Sequence, residues 1–233
     1  MKSARLERAE VTAAELALIN APSLRPLAAE EVYAFRLAAC DDQVDRDNER
    51  FPRETLEGFA ALFVGRPVLR DHRWSADTQT ARIYAAGVED TEQGSRLILR
   101  SYMPRLETNR DTVAAIESGI LRECSVGVAV ERVVCSICGK NQREGLCRHI
   151  PGREYDGQRC HMDLVGARDV YEASLVAVPA QPAAGVVKSK RYGEPAAESG
   201  EAPEETGISW QDEALLEMEK SRFGGMQHET ETH

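Results

Sequence analysis

Along this 233-residue chain the hydrophobic and polar positions fall into blocks of helical and of strand periodicity. Thr12 followed by Glu15 has the form of a capping box, and Leu16 and Ile19 supply a short apolar stripe behind it. A brief helix ending near Asn20 is therefore predicted, before a loop between Pro22 and Pro26. Residues 32–40 (VYAFRLAAC) are rich in β-branched, aromatic and aliphatic side chains and predict a strand, with a polar loop over 41–50. Leu56, Phe59, Ala60 and Phe63 then recur on one helical face behind Pro52, with Gly65 and Pro67 as terminators. Strands are predicted at 67–70, 80–88 and 96–102, the last two separated by the turn-like Thr91-Glu92-Gln93-Gly94. Thr108 and Asp111 frame another helix start, Val113, Ile116 and Ile120 supply its apolar face, and Gly119 marks its end. A strand at 123–134, a Cys- and Gly-rich excursion and a last core strand at 171–178 follow, the last stopping at Pro179-Ala180-Gln181-Pro182. About seven strands and three helices give an α+β domain, expected as a barrel-like, mostly antiparallel sheet with helices packed outside.

Composition changes this picture mainly at the C-terminal end. With 42% hydrophobic and 29% charged residues, the bulk of the chain reads as globular. From residue 190 onward the sequence shifts to Glu, Ala, Pro, Ser and Gly, which bury too little apolar area to offset chain entropy. Residues 191–233 carry eleven acidic against three basic side chains, a net of -8, and so leave -2 of the total -10 for the body. A near-neutral body with an acidic tail argues against bulk affinity for nucleic acid. Ser209 and Asp212 can cap a short helix at 210–223, read either as a frayed segment or as a docking helix that folds on a partner. The charged start, 1–10, lacks the apolar stretch of a signal peptide, and no run approaches a membrane span. The expectation is a reducing cytoplasm, in which the six cysteines serve as ligands or buried thiols.

Three separated segments carry candidate chemistry: Pro67-Val68-Leu69-Arg70-Asp71-His72, Cys124-Ser125-Val126-Gly127-Val128, and the run from Tyr171 to Pro182 that contains Glu172-Ala173-Ser174-Leu175-Val176. Strand alternation sets Val126, Val128 and Val130 on one face and Ser125, Gly127 and Ala129 on the other. Ser125 then sits on a face kept open by small neighbours, and Cys124 points to the buried side as a structural thiol. A serine hydroxyl needs an adjacent base, and His72 is the only one of five histidines that precedes the Cys-rich segment. In order and spacing the three segments resemble those of the caudovirus prohead serine proteases, relatives of the herpesvirus assemblin fold, over roughly residues 33–187. The resemblance implies His72 and Ser125 as catalytic residues, with an acidic residue or second histidine after the serine as third member. Glu172 fits that role best, with Asp169 and Asp163 as rivals. It further implies peptide hydrolysis of scaffold or of the scaffolding segment of the major capsid protein, and of the protease itself. The setting would be the interior of the phage prohead in a bacterial cytoplasm, with a homo-oligomer and portal contacts as further expectations.

Cys135-Ser136-Ile137-Cys138, eight residues, then Cys147-Arg148-His149 is a second constellation. Two cysteines separated by two residues can hold one metal from a tight turn, and Cys147 with His149 completes a tetrahedral zinc set. Cys160 or His161 is an alternative fourth ligand. With four protein donors the zinc would be structural, a staple for a long loop. The expected organisation is an N-terminal helix and loop over 1–30, a protease domain over 31–189 with a zinc-binding insertion at 135–161, and the disordered tail at 190–233. Two other functions stay open: a non-catalytic, zinc-stabilised virion or assembly protein of the same fold, and a zinc-ribbon nucleic-acid-binding module. Six basic against three acidic residues over 132–159 give the latter little support.

Overall fold

A computed structural model of the chain describes residues 11–178, 181 and 184–187. The expected acidic tail and its helix at 210–223 lie outside the described residues, as do Pro179, Ala180 and Pro182 of the expected strand stop. In chain order the elements are α1 (Ala13–Asn20), β1 (Val32–Asp41), β2 (Glu49–Arg50), α2 (Arg53–Phe63), β3 (Pro67–Arg70), β4 (Ala81–Thr91), β5 (Gly94–Pro104), α3 (Arg110–Glu117), β6 (Cys124–Cys135), β7 (Glu154–Tyr155), β8 (Gln158–Arg159), β9 (Met162–Leu175) and β10 (Gly185–Val187). No helix among the described residues is long and apolar enough to cross a membrane.

The capping box forms as predicted: the Glu15 amide donates to Thr12 Oγ1 at 3.2 Å, and the Thr12 amide donates to the Glu15 carboxylate at 3.1 Å. Helix α1 then buries Ile19 against Val32 and Tyr84. Helix α2 packs across β9, β4 and β5 with Leu56, Phe59 and Phe63 fully buried, and Phe59 meets Phe51 and Phe63 edge-on at 5.5 and 6.3 Å. Each such ring contributes about 2–3 kcal/mol of burial, which seats the helix whose end, at the left-handed Gly65, delivers the chain into β3.

Helix α3 departs from expectation at its start and at Ile120, while Gly119 ends it as expected. Its N-cap is Asn109, which makes no capping bond and instead donates through Nδ2 to the Pro104 carbonyl at 2.9 Å, so the Thr108–Asp111 capping box does not form. The helix stops at Glu117, and Gly119 at φ 76° turns the chain, leaving Ile120 80% exposed while Val113 and Ile116 are buried.

Among the described residues, eight strands make one sheet in the order β10-β1-β5-β4-β3-β9-β2, with β6 paired to β9, while β7 and β8 form a separate hairpin. Pairing is antiparallel except for β2 and β3, which run parallel to β9. The barrel expectation is corrected here. The two ends of the sheet meet at one isolated bridge, Glu123 to Gly185, and β10 has only three residues with which to extend it, so no closed barrel forms among the described residues.

The last long strand also differs from expectation: β9 begins at Met162, not near 171, and follows β6 along its whole length. Register shifts leave Tyr171 and Arg168 as extra residues opposite the Gly127–Val128 and Ala129–Val130 steps. These shifts keep Val126, Val128, Val130, Val170, Ala173 and Leu175 directed to the core despite the broken alternation.

Candidate active site and metal cluster

Strand β3 lies parallel to β9, with Val68, Leu69 and Arg70 opposite Ala173, Ser174 and Leu175. One further ladder bond, from the Asp71 amide to the Leu175 carbonyl at 3.0 Å, carries the chain past the strand end. It then turns sharply through Asp71 and His72, both left-handed at φ 54° and 53°. Two successive non-glycine residues in that region cost of order 1 kcal/mol each. The turn is held by the Arg73 amide donating to Arg70 O at 3.1 Å and by the His72 amide donating to Ser174 Oγ at 3.1 Å.

This turn sets the His72 ring against Glu172: Nδ1 and Oε1 are 2.8 Å apart. Glu172 is 1% exposed and Ser174 is fully buried. A buried carboxylate is costly unless its oxygens are hydrogen-bonded; here the second oxygen, Oε2, accepts from Ser174 Oγ at 2.5 Å. The chain of bonds thus runs from the His72 amide through Ser174 to one carboxylate oxygen, while the other oxygen faces the imidazole. A carboxylate acceptor makes Nδ1 the protonated nitrogen and leaves the Nε2 lone pair free to take a proton. The His72 side chain is 43% exposed, so Nε2 is not sealed in the core.

Ser125 and Gly127 on β6 face Ser174 and Glu172 across the ladder. A Cβ at Gly127 would lie 2.5 Å from Glu172 Oε1, so the absence of a side chain there is what admits the carboxylate. Ser125 is half-buried on this same face, one cross-strand pair from Glu172, and its hydroxyl has no hydrogen-bond partner among the described residues. Cys124 points the other way: it is fully buried, its thiol donates to Ala38 O at 3.2 Å, and burial pushes that thiol up to about 12.

The two rival carboxylates are engaged elsewhere. Asp163 pairs with Arg50 at 2.7 Å and approaches His161 at 3.4 Å, and Asp169 pairs with Arg66 at 3.2 Å. Of the three acidic candidates, the fold brings Glu172 to His72.

At the other end of the β6–β9 pair, donor atoms of Cys135, Cys138, Cys147 and His149 all lie within 4.8 Å of one another, a group that can hold a metal ion and is compatible with zinc. Cys135 closes β6, and the Gly139 amide, at φ 69°, donates back to Cys135 O at 2.8 Å to form the tight turn that returns Cys138. Gln142 fixes Cys147 from both sides, accepting from its amide at 3.2 Å and donating Nε2 to its sulfur at 3.4 Å. Burial opposes ionisation of Cys147, but hydrogen bonding to the His149 backbone, to Gln142 and to the Cys135 and Cys138 thiols outweighs it and brings the thiol down to about 6. Of the two alternative ligands, neither is among the four mutually close donors: His161 Nε2 lies 3.4 Å from Asp163 Oδ1, and Cys160 Sγ lies 3.9 Å from Cys135 Sγ.

Comparison of the chain with protein-family models, curated proteins and solved structures returns no match.

One participant escaped the sequence reading. Ser174 links the His72 backbone to the Glu172 carboxylate, and its signal was present: a Glu-x-Ser pair on a strand must share one face. What the sequence did not carry was the left-handed turn that hangs His72 over that face.

Proposed function

We propose that the chain is a serine endopeptidase with Ser125 as nucleophile, His72 as general base and then acid, and Glu172 as the residue that orients the imidazole. The observation carrying this reading is the 2.8 Å contact between His72 Nδ1 and a carboxylate that is buried, pinned on its other oxygen by Ser174 and faced by Gly127, on the strand pair that also carries Ser125. In the first half-reaction Ser125 Oγ bonds to the substrate carbonyl carbon while its proton passes to His72 Nε2. The C–N bond then breaks, and the same proton leaves on the departing amine. Water repeats the sequence on the acyl-enzyme, restoring the serine and releasing the new carboxylate. Glu172 stabilises the imidazolium formed in each half without taking its proton.

The order of the three segments supports the finer proposal, a prohead-type maturation protease acting on scaffold or capsid-protein scaffolding segments and on itself inside a phage prohead. The Cys135, Cys138, Cys147 and His149 group we assign to a structural zinc. It sits ten residues along β9 from Glu172, roughly 30 Å at strand rise, too far to polarise a bond at Ser125.

Expression of the full chain with and without a candidate capsid protein, read by intact mass, tests the reading. Trimmed chain or trimmed capsid protein is expected with the natural sequence and not with Ser125→Ala or His72→Ala. Equal trimming in both variants would overturn the assignment.

A further inference from the structure

A fifth donor lies next to the four of the metal cluster. Cys160 Sγ lies 3.9 Å from Cys135 Sγ, and His149 Nδ1 lies 3.7 Å from the same sulfur. In a tetrahedral zinc site with sulfur at about 2.3 Å and nitrogen at about 2.0 Å, adjacent ligand atoms are separated by about 3.8 Å for two sulfurs and about 3.5 Å for sulfur and nitrogen. Cys135 is therefore at coordination-edge spacing from both side chains.

Cys160 is fully buried and packs with Cys135 and Met162, and Cys147 lies against that group. Its position is fixed independently of His149. The Cys160 amide donates to Arg153 O at 2.8 Å, Gly152 donates to Cys160 O at 2.8 Å, and next door Ser136 and His161 exchange bonds at 3.0 and 2.9 Å. His149 is held differently, by its ring edge-on to Tyr155 at 4.7 Å, with the Tyr155 hydroxyl accepting from the Ile150 amide at 2.9 Å. A second, separately supported donor thus lies beside Cys135, on the same sulfur that His149 approaches.

We propose that Cys160 is a metal ligand that alternates with His149. Cys135, Cys138 and Cys147 hold the ion throughout, and either the His149 imidazole or the Cys160 thiolate completes the tetrahedron. In the exchange the Cys160 thiol gives its proton to solvent, its sulfur bonds the ion, and the imidazole leaves neutral. With a divalent ion the net charge of the site passes from -1 to -2, and no oxidant or reductant is required. This inference stands apart from the peptidase reading, because its readout is metal binding alone.

The test uses the full chain stripped of metal under reducing conditions and titrated with cobalt(II) and with zinc, comparing the natural sequence with His149→Ala, Cys160→Ser, the double variant and His161→Ala as control. Cobalt reports the number of bound thiolates through the intensity of its sulfur charge-transfer band. Each single variant is expected to take up one ion with affinity within about tenfold of the natural chain. His149→Ala should show the strongest thiolate band, Cys160→Ser the weakest, and the double variant should lose tight binding. Loss of the ion in His149→Ala, with Cys160→Ser indistinguishable from the natural chain, would overturn the proposal by making Cys160 a bystander. Loss in Cys160→Ser with no change in His149→Ala would overturn it by making Cys160 a fixed ligand, and a natural chain that binds neither ion would remove the site altogether. Since His149→Ala removes a half-buried ring and no core thiol, it leaves the apolar group of Cys135, Cys160 and Met162 intact even if Cys160→Ser does not, and its band intensity decides whether a fourth thiolate enters.

Discussion

The two ends of the β6–β9 pair hold the two chemical constellations of this protein, and they are built on opposite plans. At one end, His72, Glu172 and Ser174 are set by long-range packing: β3 and β9 meet a hundred residues apart in sequence over Val68, Ala173 and Leu175, all but completely buried. At the other end, residues 135–161 form a loop with a small apolar group of Cys135, Cys160 and Met162 and a hairpin of two-residue strands. The first site can keep its shape because the core keeps it. The second needs a metal ion, since so little buried apolar area does not offset the entropy of ordering a long loop. Polar chemistry held by a core should survive loss of the metal, and the converse should hold for chemistry changed at the core end.

The largest effect that would break this comparison is at Glu172. Glu172→Gln keeps volume and strand position but removes the charge facing His72, and should slow self-cleavage up to about ten-thousandfold with an unchanged circular dichroism spectrum. Asp163→Asn and Asp169→Asn, measured beside it, should be mild. A severe loss in either aspartate variant with near-normal Glu172→Gln would move the orienting role. Next in size is Gly127→Ala, whose added Cβ would sit 2.5 Å from Glu172 Oε1. It should push the carboxylate off His72 and cost about a hundredfold in rate while metal uptake stays intact. Metal removal should do the reverse: hydrogen exchange should quicken over 135–161 and stay slow over 170–175, with cleavage changed by less than about tenfold. Equal loosening at both ends would show that the two sites are not independently supported. Smallest is Cys124→Ala, expected to lower stability by about 1 kcal/mol and leave cleavage within about twofold, because its thiol faces Ala38 on the core side.

Legibility in the sequence divides along the same line. Features fixed within a few residues were readable: the Thr12–Glu15 capping box, the α2 stripe, β3 at Pro67–Arg70, and the Cys135, Cys138, Cys147, His149 spacing. Features fixed by distant partners were not. The first half of β9 was missed because Gly166, Arg168 and Asp169 interrupt its alternation, and only the ladder to β6, with its two shifts, makes that stretch a strand. Ile120 was placed on a helix face that a turn at Gly119 ends before it is reached. The strand count suggests a barrel-like sheet, but it says nothing about whether β10 is long enough to join β6 and close it. Which of Asp163, Asp169 and Glu172 lies under the His72 turn is likewise a three-dimensional matter, and it is Glu172.

The most direct test of the central claim asks whether Ser125 is nucleophilic, with no substrate needed. The folded chain is treated with a fluorophosphonate probe and the modified residue is located by peptide mass mapping. A single adduct on Ser125, lost in His72→Ala and retained in Cys124→Ala, is the result this account predicts. An unmodified Ser125 in the folded natural chain, or modification that proceeds equally well without His72, would contradict it.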